Sequence, residues 1–228
     1  MYRTLYGMAG VVSNGNRTQP ARSRESIARA ALDLVDREGL DALSMRRLAA
    51  ELEMGTMTLY GYFRTKEELL EAVVEQAAGW DRLPDVGGGW EEQLRALGRG
   101  MRIALSRHRS LIEVRLRRPI AGPRSFRGTE VGIRALVDAG FTPGEAARAF
   151  RVVFLYVFGF VAFSDPGAEV TDERRRAQAA IAATLPPEDF PLLSEMGTEM
   201  AETMGGDEQF EYGLDVVIAG IAAARSAR

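Results

Sequence analysis

Two stretches of the chain hold residue types that could do chemistry. The first is GTMTLYGYFRTKEELL, Gly55 to Leu70, which gathers Thr56, Met57, Thr58, Tyr60, Tyr62 and Lys66. Lys66 is the only lysine among 29 basic residues. Hydroxyls and an ammonium group suit phosphate oxygens and base edges, and a methionine suits a thymine methyl. The second stretch is LSRHRSLI, where the single histidine, His108, lies between Ser106 and Ser110. Residues two apart on a helix do not face each other, so serine and histidine form a poor nucleophile–base pair. Lys66 is preceded by Tyr-Phe-Arg-Thr and not by a glycine-rich phosphate cradle. With no cysteine and one histidine, neither a thiol nucleophile nor a transition-metal site is expected. No catalytic residue, metal or cofactor is assigned.

The elements that must position the first stretch are helical. RESIARAALDLVDREGL, after Ser23, puts Ile27, Ala31, Leu34 and Val35 on one face, and Gly39 ends it. Ser44 caps a second helix, MRRLAAEL. A break at residues 53–55 leads to a third, TMTLYGYF, and Thr65 with Glu68 boxes the start of a fourth, KEELLEAVVEQAA. Gly79 to Gly89 reads as a loop. Beyond it, helices are expected from Trp90 to Leu105, from about Thr129 to Ala139, from the cap Thr142-Pro143-Glu145 to Phe163, and over EQFEYGLDVVIAGIAAA. Residues 164–208 are variable in character. No β-alternation is found. The fold class is all-α: a three-helix helix-turn-helix unit over 21–66 followed by a larger helical domain over 67–228, the ligand-binding and dimerisation domain that the family resemblance given below implies. Residues 1–20 read as a disordered arm, not a signal peptide.

Charge is unevenly shared. Residues 1–66 carry ten Arg and Lys against seven Asp and Glu, a net of +3, and the remainder carries 19 against 25, a net of −6. A basic front on an acidic body hints at a polyanion partner. No apolar run approaches the roughly 20 residues that span a bilayer, so no membrane partner and a cytoplasmic location are expected.

Three short helices joined by tight turns give a helix-turn-helix. Its second partner would enter the major groove by its N-terminal end. Thr56, Met57, Thr58 and Tyr62 would then meet bases or backbone. Tyr60, Lys66, Arg46 and Arg47 would hold phosphates.

The run SMRRLAAELEMGTMTLYGYFRTKEELLEAV resembles the DNA-binding domain of the TetR family of bacterial transcriptional regulators, most specifically in its Leu-Tyr-x-Tyr-Phe-x-x-Lys-x-x-Leu pattern, Leu59 to Leu69. FEYGLDVVIAGI is similar to the last helix of the tetracycline-repressor-like C-terminal domain. The resemblance implies a homodimeric regulator, a repressor released from a palindromic DNA operator by a small-molecule effector. The competing reading is an all-helical carrier or enzyme whose front helices are only structural. Two departures stand out: Glu53 where the family has a turn glycine, and Gly61 where many members carry a base-reading side chain. The positions that hold magnesium and drug in tetracycline repressors fall on Val114, Leu155 and Phe163, which does not support that ligand.

In the body, Met101, His108, Arg115, Arg118, Phe150, Phe154 and Phe158 are candidate ligand-binding residues. The arginines after Leu111 read either as an acid-binding cluster or as a solvated face. Met196, Met200 and Met204 read as a packing stripe or a lid. Val157, Phe160, Phe210, Leu214, Val217 and Ile221 are candidate dimer contacts.

Overall fold

The structure is a computed structural model that describes residues 23–77, 87–117, 122–163, 172–203 and 205–226. The expected arm, Arg118 and Met204 lie outside these residues, as does most of the glycine-rich loop.

The front is built from α1 (Arg24–Glu38), α2 (Met45–Glu51), α3 (Thr56–Tyr62) and α4 (Lys66–Ala77). Local chemistry sets each boundary. The Ser23 side chain accepts from Ser26 N at 3.1 Å while Ser23 N donates to Ser26 Oγ at 2.9 Å, closing the start of α1. Gly39 leaves α1 at φ 84°. Ser44 Oγ accepts from Arg47 N at 3.1 Å and starts α2. Thr65 Oγ1 accepts from Glu68 N at 3.1 Å, but Glu68 returns its bond to Arg64 N, at 2.7 Å, one residue earlier than a capping box would. Glu53 does sit left-handed, at φ 50°. Glycine would fill that position without the roughly 1 kcal/mol that a side chain costs there.

These helices close over Ile27, Leu34, Leu43, Leu48, Leu59, Phe63, Leu69 and Val73, all at 0% exposure. Leu111 and Val114 of α6 (Ser110–Arg117) join the same core. Ion pairs fix α1 against α2: Arg47 reaches Glu38 at 2.7 Å and Glu51 at 2.8 Å, and Arg37 reaches Glu51 at 2.8 Å. These neighbours hold the Glu51 carboxyl below the ordinary carboxylate range, Arg47 first.

The body comprises α5 (Trp90–Arg107), α6, α7 (Pro123–Asp138), α8 (Pro143–Phe163), α9 (Asp172–Ala183), α10 (Pro191–Glu195), α11 (Gly197–Glu202) and α12 (Asp207–Ser226). No strand occurs among the described residues. Three elements differ from expectation. α7 begins at Pro123, six residues before Thr129, because that proline occupies the first helical turn and does not break the chain. α6 is a separate short helix, since His108 and Arg109 turn the chain. Residues 172–202 fold into α9 to α11, with Met196 and Met200 exposed.

α8 is long and apolar enough by composition to cross a bilayer, contrary to the count of unbroken apolar runs. Here it packs against α5, α7 and α12. Thr142 and Glu145 cap it reciprocally, at 2.9 Å from Thr142 N and 3.4 Å from Glu145 N. Its Tyr156 donates to the Phe210 carbonyl at 2.8 Å and stacks on the Phe210 ring at 5.8 Å. α5 and α12 run antiparallel, joined by Arg95–Asp215 at 2.7 Å, Arg99–Glu211 at 2.6 Å and Arg102–Asp207 at 2.7 Å.

At Gly132 of α7 an added Cβ would lie 2.6 Å from the Phe150 ring and 2.8 Å from Leu97. Gly132→Ala should therefore lower the urea midpoint. The overpacking cost of about 1–3 kcal/mol exceeds the roughly 1 kcal/mol gained in helix propensity. A second expectation concerns pH. A carboxyl whose folded pKa is depressed stabilises the protein at neutral pH, and that stability is lost as pH falls through the folded value. The melting temperature of Glu51→Gln should therefore fall less steeply than that of the wild type between neutral and acid pH.

Candidate nucleic-acid interface and effector cleft

The start of α3 stands clear of the front core. Met57 is 82% exposed, Thr58 is exposed and Thr56 is half-buried. Leu59 and Phe63, at 0%, anchor the opposite face. Tyr60 is exposed, whereas Tyr62 is half-buried and packs on the core. Lys66 is half-buried at the start of α4. Gly61 faces open space, so no side chain reaches out there.

The two arginines of α2 part company. Arg46 is exposed. Arg47 lies between Glu38 and Glu51, and their carboxylates raise it above its ordinary value, Glu38 first. Its guanidinium ties α1 to α2, so a phosphate would have to compete with two carboxylates for it. Arg24 likewise braces the end of α3. It donates to the Tyr62 carbonyl, pairs with Glu68 at 2.7 Å and lies 4.3 Å over the Phe63 ring.

Behind the front, a narrow cleft lies between α4, α5, α6 and α8, with about 30 Å³ of room for water-sized molecules as it stands. Met101, His108, Arg115 and Phe154 line it, together with Val74 and Ala77 of α4 and Leu111 of α6. Phe150 does not. It is turned inward against Gly132, because α7 approaches α8 closely at that glycine. Phe158 stacks on Phe154 at 5.7 Å and 16° without reaching the cleft wall. Arg115 is half-buried and not wholly solvated: its Nε is buried without a hydrogen-bond partner, and burial pushes the group below its ordinary value. Val114 lies in the front core, at 7%.

Two carboxylates that the sequence did not single out connect the cleft walls to the front. His108 Nδ1 lies 2.7 Å from Asp36 Oδ2 on α1. Glu75, in the last turn of α4, accepts from Arg124 N at 2.8 Å, from Ser125 N at 3.0 Å and from Ser125 Oγ at 2.5 Å. It thus caps α7 from another helix. Partners 72 and 49 residues away leave no local pattern to read.

The expected dimer contacts need correction. Val157, Phe210 and Leu214 are at 0% exposure inside the body of a single chain, and Phe160 packs on Phe210 at 5.2 Å. The stripe assigned to a partner meets α12 of the same chain. The outward faces of α8 and α12 carry Val152, Leu155, Tyr212 and Val216 instead, with 48–66% exposure. Val217 and Ile221 are half-buried and line a groove of about 430 Å³ between these helices.

Comparison with known proteins agrees with this architecture. The family described as bacterial regulatory proteins of the tetR family matches residues 27–73. The tetracyclin repressor-like C-terminal domain matches residues 83–225. An HTH-type transcriptional regulator of Saccharopolyspora erythraea is 31% identical over 91% of this chain and 88% of its own length. The HTH-type transcriptional repressor DrrR1 of Streptomyces coeruleorubidus is 32% identical over 89% and 78%. The TetR family protein ActR of Streptomyces coelicolor, in complex with actinorhodin, superposes with a TM-score of 0.79 at 30% identity, covering 90% of this chain and 98% of that one. The chain belongs to the TetR family of DNA-binding transcriptional regulators.

Proposed function

We propose that the protein is a homodimeric, cytoplasmic repressor that holds a two-fold DNA operator and releases it when a small molecule fills the cleft between α4, α5, α6 and α8. One observation carries this reading. Val74 belongs both to the front core and to the cleft wall, and Leu111 does the same from α6. A ligand there touches the packing that holds α3. By linkage, a ligand that favours one arrangement of α4 lowers DNA affinity only as far as it distinguishes the two states. The relevant geometry is the separation of the two reading helices, which must match about 34–36 Å on B-DNA.

A gel shift against DNA flanking the gene tests the function. Sequence-specific binding that weakens steeply with salt is expected. Absence of binding at every salt concentration would favour the carrier reading. Within the reading head, Lys66→Ala and Tyr60→Phe should weaken binding about equally on all sequences, as phosphate contacts do. Thr56→Ala and Met57→Ala should relax preference at particular base pairs by roughly 1 kcal/mol or more, which an operator library would report.

The dimer reading is supported by the outward apolar faces of α8 and α12, which form a broader apolar patch than isolated surface residues would. Val216→Glu and Leu155→Glu should give folded monomers that no longer hold a two-fold operator, measured by sedimentation and gel shift. Leu214→Glu should fail to fold, because it buries a charge in the chain's own core.

A further inference from the structure

The cleft has one feature that its apolar walls do not explain. Arg115 lies among Leu111, Phe154 and Met101, and its Nε is buried with no hydrogen-bond partner. A buried donor left unmet is costly, and more so when it is charged. The carboxylate that acts on it electrostatically is Glu75. Both Glu75 oxygens, however, are held at the start of α7 by Arg124 N, Ser125 N and Ser125 Oγ. The other polar wall residue, His108, has Nδ1 occupied by Asp36. What remains is a half-buried guanidinium whose Nε is unmet, beside the Phe154 ring of the wall, which Phe158 backs from outside the cleft at 5.7 Å. The guanidinium lies 5.8 Å from the Phe154 ring centre.

We propose that the cleft recognises an aromatic acid, with its rings against Phe154 and its carboxylate, sulfonate or acidic phenolate on Arg115. The inference rests on the cleft being the effector site, and it adds the chemical class of the effector. A neutral ring system would leave Nε unmet. An acid without rings would leave the apolar wall hydrated. A molecule with both satisfies each, and a hydrogen bond between two charged groups is among the strongest available in a water-poor site.

The test uses two fluorescent probes with one ring system: 1-anilinonaphthalene-8-sulfonate, which is anionic, and N-phenyl-1-naphthylamine, which is neutral. The readout is the ratio of their affinities for the full chain without DNA. Arg115→Met should lower the anion-to-neutral ratio roughly tenfold or more, the scale of one charged hydrogen bond. Arg115→Lys should keep most of it. Arg151→Met removes an exposed arginine over the same Phe154 ring, at 5.5 Å, and should leave the ratio unchanged. An unchanged ratio in Arg115→Met, or a ratio lost in Arg151→Met instead, would overturn the proposal. Should Arg115→Met fail to fold, crystals of the wild type with the sulfonate probe decide. A sulfonate within hydrogen-bonding reach of Arg115 supports the assignment, and a sulfonate seated elsewhere refutes it. Operator binding is measured apart from either arm, so a failed anion test leaves the regulator reading standing, while a failed gel shift strikes that reading alone.

Discussion

The structure turns on the last helical turn of α4. Leu69, Leu70, Val73 and Val74 bury this helix in the front core. One position further, Glu75 gives its carboxylate to the free amides at the start of α7. A helix N-terminus presents unpaired N–H groups and partial positive charge, so a carboxylate there is doubly favoured. The fit demands glycine at 122, since a Cβ would fall 1.9 Å from the Glu75 carboxyl carbon. Front and body therefore share one rigid element instead of meeting across a loose contact. The pair of His108 with Asp36 makes a second tie, between α1 and the turn that follows α5.

How much of this was legible in the sequence depends on range. Ser23, Ser44, Thr65 and Thr142 announced their helices because a cap is a contact between residues three apart. The left-handed strain at Glu53 was legible for the same reason, as a single backbone position. The start of α7 is less legible, and the expected start near Thr129 falls six residues late: Pro123 can signal either a break or a first helical turn, and sequence alone does not choose between them. The bonds from Glu75 to α7 and from His108 to α1 cross tens of residues and left no local trace.

The misassigned faces of α8 have a different cause. An amphipathic helix reveals its rotation through the contrast between its faces. α8 lacks that contrast, since Phe154, Tyr156, Val157 and Leu155 point in different directions and all are apolar. Composition could say that the helix would be surrounded, but not by what. The answer came from Tyr156 and Phe210, whose stacking gives α12 the face that had been assigned to a partner. Arg115 shows the converse. Arginine is so commonly solvated that nothing short of the packing of α4, α6 and α8 reveals its Nε as buried.

The paired arginines of the front alter how its charge should be counted. Protein bound to DNA gains affinity largely by displacing condensed cations, in proportion to the phosphates it neutralises. Arg24, Arg37 and Arg47 each already face a carboxylate, Glu68, Glu51 or Glu38. In those pairings they have little net charge to offer a phosphate and displace few cations. The net of +3 over the first 66 residues already subtracts Glu38 and Glu51, so only the Arg24–Glu68 pair draws on a carboxylate beyond that count. The salt dependence of operator binding follows from the smaller set of cations outside these pairs, and not from the ten basic residues as a whole.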